Sequence, residues 1–224
     1  MEKQSTWSKF LTLLFPPHCV ICFSCRVHGD LFSFLCARCF LKIRQNKNPL
    51  RLLKPFDRVL VYGPYADPTL KALIFQFKFR FVKELSHPLG ELLIASLNEG
   101  GIETFVSLQK PVVTFVPLAP LRVRWRGFNQ SQLLAHAVAS YFHLPCLPLL
   151  ERSWLAPSQA KLKDEVARAN NIKGAFSLSA PESRAPQKVL LIDDVLTSGS
   201  TLKEAGRVLK KWGVKELWGA TVAG

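Results

Sequence analysis

The chain has 224 residues, of which 48% are apolar and 21% charged, a composition that excludes extended disorder. Its 30 Lys and Arg residues exceed its 16 Asp and Glu residues, which gives a formal net charge of +14. No apolar stretch approaches the roughly 18 residues that span a bilayer, and the short apolar run at residues 10–15 has no secretory cleavage site. We therefore expect a cytoplasmic protein with one main α/β core and an appendage.

The first 50 residues are predicted to form that appendage. Ser5 can cap a short helix that ends before Pro16-Pro17. Residues 18–40 are rich in cysteine and turn residues, and a basic, polar stretch follows them. These signals divide the chain into an N-terminal helix and cysteine module at residues 1–50 and a larger domain at residues 51–224.

Four cysteines of this module have the spacing of a metal site. Cys19 and Cys22 form one Cys-x-x-Cys pair, Cys36 and Cys39 form another, and 13 residues separate the pairs. Each pair supplies two thiolates suited to tetrahedral zinc, and four protein ligands leave no position for a catalytic water. We expect a structural zinc ribbon in which Cys25 is not a ligand. Disulfides are the competing interpretation, although they are rare in a reducing compartment.

A basic run follows the cysteines. The segment from Arg38 to Lys54 contains six basic residues and no acidic one. Such a run favours partners that carry phosphate, including nucleic acid. The candidate nucleic-acid-binding residues are Lys42, Arg44, Lys47 and Arg51. A solvated basic surface explains the same run equally well.

Beyond residue 50, apolar strands alternate with amphipathic helices. Strands are predicted at residues 58–62, 111–116, 188–192 and 216–222. Helices are predicted at residues 67–77, 83–97, 129–142 and 201–212. Nearly continuous apolar strands in this order favour a mostly parallel sheet with flanking helices on both faces, and the last three elements predict a βαβ unit.

The most specific segment is residues 189–201, an apolar strand that ends in two carboxylates and a loop that opens a helix. The loop consists of small residues: Thr197, Ser198, Gly199, Ser200 and Thr201. At the carboxyl end of such a strand, loop amides, hydroxyls and a helix N-terminus can bind a phosphate. Asp193 and Asp194 suit two vicinal ribose hydroxyls or Mg²⁺ with its waters. A capped helix after a buried strand is the alternative, but it does not explain two adjacent carboxylates.

This segment resembles the phosphoribosyl pyrophosphate (PRPP) signature of type I phosphoribosyltransferases. The resemblance implies that Asp193 and Asp194 are the ribose-binding and catalytic pair, that residues 197–201 hold the 5-phosphate, and that Mg²⁺ neutralises the pyrophosphate. It places the pyrophosphate at another strand end, for which Pro117 and Leu118 are the best candidates. Three arginines at alternate positions follow and suit a polyanion: Arg122, Arg124 and Arg126.

Further motifs narrow the family. Residues 126–130 have the sequence Arg-Gly-Phe-Asn-Gln, in which Asn129 can cap the next helix. Downstream lie Gln159-Ala160, Arg168, Asn171 and Gly174-Ala175-Phe176. In this order the motifs resemble the ComF/GntX family, phosphoribosyltransferase-like proteins that include factors for DNA uptake. The resemblance implies PRPP, single-stranded DNA and other DNA-uptake proteins as partners.

Two functions stay open at this point. One is an enzyme that transfers a phosphoribosyl group, although no base-recognition hood is visible in the sequence. The other is a non-catalytic PRPP sensor whose basic module binds single-stranded DNA. Arg126 is a candidate anion clamp, whereas we expect Lys78 to be an ordinary surface lysine.

Overall fold

A computed structural model of the chain describes residues 18–23, 34–44, 50–106, 110–152 and 174–224. Helices α1 to α7 are, in chain order, Ala37–Arg44, Pro68–Phe79, Ser86–Glu99, Ile102–Val106, Pro120–Arg126, Gln130–Tyr141 and Ser200–Trp212. Strands β1 to β6 are Arg58–Gly63, Val112–Phe115, Leu150–Arg152, Phe176–Leu178, Lys188–Val195 and Glu216–Ala223. The sites predicted at residues 5–15, Cys25, Lys47, Gln159-Ala160, Arg168 and Asn171 lie outside the described residues.

Four strands form a parallel sheet in the order β1-β6-β5-β2. Successive side chains of a strand face opposite sides of the sheet. On β5, Leu190 and Ile192 accordingly join one hydrophobic cluster, while Val189 and Leu191 join the other. The predicted mostly parallel sheet is confirmed, and β5, α7 and β6 form the predicted βαβ unit.

Helices cover both faces of this sheet. On one face, α3 packs against β1 and α6 packs against β2 and β5. On the other face, α7 packs against β6 and β4. Because the strands are parallel, their carboxyl ends share one edge of the sheet, and the loops that follow β1, β2 and β5 meet there.

Two helix boundaries differ from the sequence pattern. Asp67 is the N-cap of α2 and not its first residue, since its carboxylate accepts a hydrogen bond from the Leu70 amide at 2.6 Å. The helix predicted at residues 83–97 is a 3₁₀ turn at Lys83–Leu85 followed by α3. Asn129 caps α6 as predicted, and its side chain accepts a hydrogen bond from the Ser131 amide.

Strands β3 and β4 form a small antiparallel sheet that the sequence analysis did not predict. Each strand has three residues, which is too short for an alternating pattern to be recognised. In this antiparallel pair, Arg152 of β3 lies opposite Phe176 of β4. This small sheet brings Arg152 into the part of the molecule described below.

The cysteine segment packs into the first hydrophobic cluster of the main sheet. Cys19, Cys36 and Cys39 are buried there together with Ile43. The Tyr62 hydroxyl on β1 donates a hydrogen bond to the Ile43 carbonyl oxygen at 2.7 Å, so α1 is connected directly to the sheet. The division of the chain at residue 50 stays a prediction.

Candidate functional site

Asp193 and Asp194 lie near the carboxyl end of β5, at the edge where the loops meet. Asp193 is buried, with 9% of its surface exposed. Its Oδ1 atom accepts hydrogen bonds from the Ser131 hydroxyl at 2.8 Å and from the Asp194 amide at 2.9 Å. Because Ser131 belongs to the first turn of α6, this helix fixes the orientation of the Asp193 carboxylate.

The environment of Asp193 changes its acidity. Its pKa is raised to about 7, first because burial disfavours the charged carboxylate and second because Asp194 is a like charge beside it. Lys78 and the hydrogen bond from Ser131 act in the opposite direction. Asp193 therefore changes its protonation state close to neutral pH.

Lys78 is part of this carboxylate pair. Its Nζ atom lies 2.7 Å from Oδ1 of Asp194, and only 22% of the lysine side chain is exposed. The prediction that Lys78 is an ordinary surface lysine is therefore wrong. The last turn of α2 brings the lysine to the end of β5, and its ammonium group compensates one of two adjacent negative charges.

The loop of residues 197–201 connects β5 to α7. Gly199 is the N-cap of α7 and has a φ of 74°, a conformation that glycine adopts at little cost. A Cβ atom at this position would also lie 3.1 Å from Cδ1 of Leu53. The Ser198 and Ser200 hydroxyl oxygens are 2.9 Å apart. Since the first amides of a helix have no partner within it, the loop presents hydroxyl and N–H donors together.

The second strand end leads from β2 through Pro117 and Leu118 into α5. Arg122 and Arg126 of this helix line the same cavity as Asp193, whereas Arg124 is exposed and lies outside the lining. The prediction that three alternate arginines act together is wrong for Arg124. On a helix, residues four positions apart share a face and residues two apart do not.

A cavity of about 550 Å³ lies between these elements, within the range of small-molecule sites. All the residues predicted to bind PRPP, except Gly199, line this cavity. Among the described residues, its charged lining consists of Lys78, Arg122, Arg126, Arg152, Asp193 and Asp194. Four basic and two acidic side chains favour an anionic ligand. Arg152 was missed because no motif surrounds it and its strand was not predicted.

Exposed aromatic side chains line the cavity as well: Tyr65, Phe79 and Trp125. Trp125 is 65% exposed and packs edge-on against Phe81, with ring centroids 4.9 Å apart. The Arg126 guanidinium lies 5.6 Å from the centroid of the Phe79 ring. The cavity therefore combines cations with flat apolar surfaces.

A separate cluster contains the four predicted cysteine ligands, Cys19, Cys22, Cys36 and Cys39. Their sulfur atoms all lie within 4.8 Å of one another, so the group could hold a metal ion. Burial, followed by the neighbouring thiols, raises the pKa of Cys39. At neutral pH, a thiol with a raised pKa stays protonated unless a bound cation compensates the charge of its thiolate.

The candidate nucleic-acid-binding residues are only partly described. Lys42 is exposed on α1, and Arg44 is the last residue of that helix. Arg51 is exposed, and its backbone forms an isolated bridge with Val59. A role of these residues in nucleic-acid binding stays a prediction.

Comparisons with known proteins agree with this arrangement. A family model of the phosphoribosyl transferase domain matches residues 91–224. The chain is 30% identical over 207 residues to Competence protein F of Haemophilus influenzae, an alignment that covers 89% of each protein. The chain belongs to the ComF family of phosphoribosyltransferase-like proteins.

Other relatives of this ComF-family chain have related names. It is 30% identical over 201 residues to the DNA utilization protein YhgH of Escherichia coli O157:H7, covering 88% of this chain and 86% of that protein. It is 33% identical over 102 residues to Competence protein ComFC of Streptococcus pneumoniae, covering 46% of this chain and 43% of that protein. None of the helices in the described ranges has both the length and the apolar character that a membrane crossing requires.

Proposed function

We propose that this ComF-family protein binds PRPP together with Mg²⁺ in the cavity. In this proposal Asp193 and Asp194 accept hydrogen bonds from the ribose hydroxyls, and residues 197–201 bind the 5-phosphate. Arg126 binds the pyrophosphate beside the backbone of Pro117 and Leu118. Membership in the family supports the ligand class, and the four cationic side chains in the lining support its charge.

The observation that supports the proposal most is the carboxylate pair at the end of β5. Burial of Asp193 is unfavourable, as its raised pKa indicates, and packing alone does not explain why a carboxylate is retained there. Ser131 and Lys78 hold the pair in a defined orientation. Acceptors for hydroxyl groups and donors for a phosphate thus line one cavity, as a 5-phosphorylated ribose requires.

The donor atoms of the cavity suit Mg²⁺ that enters with a pyrophosphate. Among the described lining residues, Asp193 and Asp194 are the only carboxylates, and Mg²⁺ with its water shell prefers such hard oxygen acceptors. When bound, Mg²⁺ would neutralise part of the pyrophosphate charge. The protein itself orients the ribose through the carboxylates and holds the anion with guanidinium groups.

We further propose that the four-cysteine cluster binds one structural Zn²⁺. Four thiolates are the usual ligands of structural zinc, and the buried position of Cys19, Cys36 and Cys39 leaves little room for a substrate. The metal-binding module then comprises residues 1–50, and the phosphoribosyltransferase-like domain comprises residues 51–224. A four-thiolate site is stable in a reducing compartment, which supports a location in the cytoplasm.

The relatives named for competence and DNA utilization support a link to DNA uptake. In this proposal one part of the protein surface contacts the bases of single-stranded DNA and another part contacts its phosphates. The exposed rings of Phe79 and Trp125 are suited to base stacking, while Lys42 and Arg51 are exposed cations suited to phosphates. Other DNA-uptake proteins are the expected partners.

Titration calorimetry with PRPP and Mg²⁺ tests the cavity assignment. We expect wild-type protein to bind, and Asp193→Ala to weaken binding by at least tenfold because a buried acceptor for the ribose is lost. Arg124→Gln is the matched control, since Arg124 is exposed beside the cavity and outside its lining. Wild-type protein that shows no heat of binding and no thermal stabilisation with PRPP would refute the assignment.

A second measurement decides between an enzyme and a sensor. Release of pyrophosphate from PRPP, followed with free bases or single-stranded DNA as the acceptor, is expected only of a transferase. Tight binding of PRPP without release under any of these conditions supports the sensor. Both outcomes require the cavity to bind PRPP.

A further inference from the structure

Three unpartnered hydrogen-bond donors belong to residues that line the cavity. In the described part of the chain, four buried side-chain polar atoms have no hydrogen-bond partner. One is the Ser179 hydroxyl, and the other three are Nε of Arg126, Nε2 of Gln130 and Nε of Arg152. Buried donors without partners are rare in folded proteins, and three of them on residues that line one cavity indicate a missing acceptor.

The contacts of Gln130 show that the missing group is an acceptor. Its Oε1 atom already accepts a hydrogen bond from Nη1 of Arg126 at 2.6 Å. The amide nitrogen is then the group of Gln130 that still needs a partner, and a nitrogen of this kind only donates. The guanidinium groups of Arg126 and Arg152 also only donate. The free groups of these three side chains can therefore bind an anion but cannot coordinate a metal ion.

Arg152 is a cation whose protein surroundings compensate its charge poorly. No carboxylate lies within ion-pair distance of it among the described residues, and its guanidinium lies over the Phe176 ring, 5.4 Å from the centroid. Burial lowers the pKa of Arg152, and the nearby charge of Arg122 lowers it further, while Asp193 acts in the opposite direction. Arg122 likewise disfavours the charged form of Arg126. An anion placed among the three guanidinium groups would relieve this repulsion.

We propose that Arg152, together with Arg126 and Gln130, binds a second phosphoryl group of the ligand and determines that the site prefers a diphosphate over a single phosphate. This inference rests on the proposed function, which assigns the first phosphate to the loop before α7. Arg152 comes from the small β3–β4 sheet and not from the main sheet. The ligand then connects two sheets that contribute different phosphate sites.

Calorimetry with three probes tests this proposal: PRPP with Mg²⁺, pyrophosphate with Mg²⁺, and ribose 5-phosphate. Arg152→Gln is expected to weaken PRPP and pyrophosphate at least tenfold, while ribose 5-phosphate changes less than twofold. Arg152→Lys keeps the charge but loses the planar fork, so we expect an intermediate loss for the two diphosphate ligands. Arg124→Gln, which removes an exposed arginine of α5, should leave all three affinities unchanged.

The outcomes distinguish this inference from the proposed function. Equal losses for all three probes, or no loss for any, would overturn the role of Arg152 while wild-type binding of PRPP still supports the cavity assignment. Wild-type protein that binds pyrophosphate through Arg152, but neither PRPP nor ribose 5-phosphate, would support the diphosphate subsite and contradict the proposed function. If Arg152→Gln does not fold, Arg152→Lys provides the test. We then compare its ratio of affinities for PRPP and ribose 5-phosphate with that of the wild type, and an unchanged ratio overturns the proposal.

Discussion

The cavity and the cysteine cluster both collect reactive side chains, but different interactions hold them in place. In the cavity each carboxylate has a partner from another element: Ser131 donates to Asp193, and Lys78 pairs with Asp194. In the cluster, four sulfur atoms lie within 4.8 Å of one another, and burial, followed by the neighbouring thiols, raises the pKa of Cys39. The protein itself thus orders the cavity, whereas the four thiols could become thiolates together at neutral pH only if a bound cation compensated their charge.

This difference predicts how the two regions respond to the loss of their ligands. Removal of metal should destabilise the fold, because α1 and the cysteines share a hydrophobic cluster with the main sheet. Removal of the small-molecule ligand should leave a folded protein with the same cavity. Variants of the two regions therefore separate stability from function.

The largest effect is expected at the metal cluster. Cys39→Ser should lose zinc and lower the free energy of unfolding by at least about 3 kcal/mol, or roughly 6–12 °C in melting temperature for a chain of this size. Elemental analysis and thermal unfolding measure the two effects. Cys146→Ser is the control, since Cys146 is a partly buried cysteine outside the cluster. A zinc content near zero in reduced wild-type protein would contradict the assignment of the four cysteines as a zinc site.

The second prediction concerns the acidity of Asp193. In the folded protein Asp193 keeps its proton up to about pH 7, whereas in an unfolded chain it loses the proton near the ordinary pKa of 3.8. The folded state therefore binds more protons in this interval, and the free energy of unfolding should fall as pH rises from about 4 to 7. Asp194, Lys78 and Arg152 are the charged groups around Asp193, and they stay in place in the variant below.

Asp193→Asn should remove this pH dependence and stabilise the unliganded protein at pH 8 by about 2 kcal/mol. The amide oxygen can still accept hydrogen bonds from Ser131 and from the backbone of residue 194. Urea unfolding at pH 5 and pH 8 measures the effect in wild type and variant. A variant that keeps the wild-type slope would show that another group titrates. The same variant should bind PRPP more weakly, because its amide nitrogen cannot accept from a ribose hydroxyl.

The sequence predicted the parts of the cavity that are contiguous in the chain. Residues 189–201 combine a strand end, two carboxylates and a helix N-terminus within one segment, so local pattern was sufficient. Lys78 and Arg152 reach the same cavity from α2 and β3, and only the tertiary fold brings them there. The residue pattern around Lys78 is that of an ordinary surface helix. Arg152 lies on a strand of three residues, which is too short to be recognised from its pattern.

The arginines of α5 show a different kind of error. Alternate positions suit a common polyanion only if the side chains point the same way, which holds for an extended chain. Pro120 at the first position of α5 was the available signal for a helix, because proline is favoured there. On that helix Arg122 and Arg126 share a face, and Arg124 does not.

A third prediction concerns Lys78, whose effect on stability should be smaller. Lys78→Met leaves two adjacent carboxylates without their ammonium partner, so the free energy of unfolding should fall by about 1 kcal/mol. The pKa of Asp193 should rise further, because Lys78 normally lowers it. Lys78→Arg should restore most of the stability. An unchanged free energy of unfolding in Lys78→Met would mean that the 2.7 Å contact between Lys78 and Asp194 has no energetic role.

Substitutions in the basic run are expected to have the smallest effect on the stability of the fold. They test whether the protein binds DNA. Charge reversal to Glu at Lys42, Arg44, Lys47 and Arg51 should weaken binding of single-stranded DNA and leave both zinc content and PRPP affinity unchanged. If each residue contacts one phosphate, the slope of log K against log salt should become less steep by about 3, since each contact contributes about 0.7. Sequence preference should be slight, because these side chains contact phosphates and not base edges.

A control with the same change in net charge separates local contact from general attraction. Reversal to Glu at four exposed basic residues elsewhere provides it: Lys110, Arg184, Lys211 and Lys215. If the run contacts DNA directly, this control should retain most of the salt slope, because distant surface charges are screened within about 10 Å at 0.1 M salt. Equal losses in both variants would mean that net charge alone attracts DNA, and the run would then be a solvated basic surface. The aromatic rings of Phe79 and Trp125 would in that case be the place to search for the contact with bases.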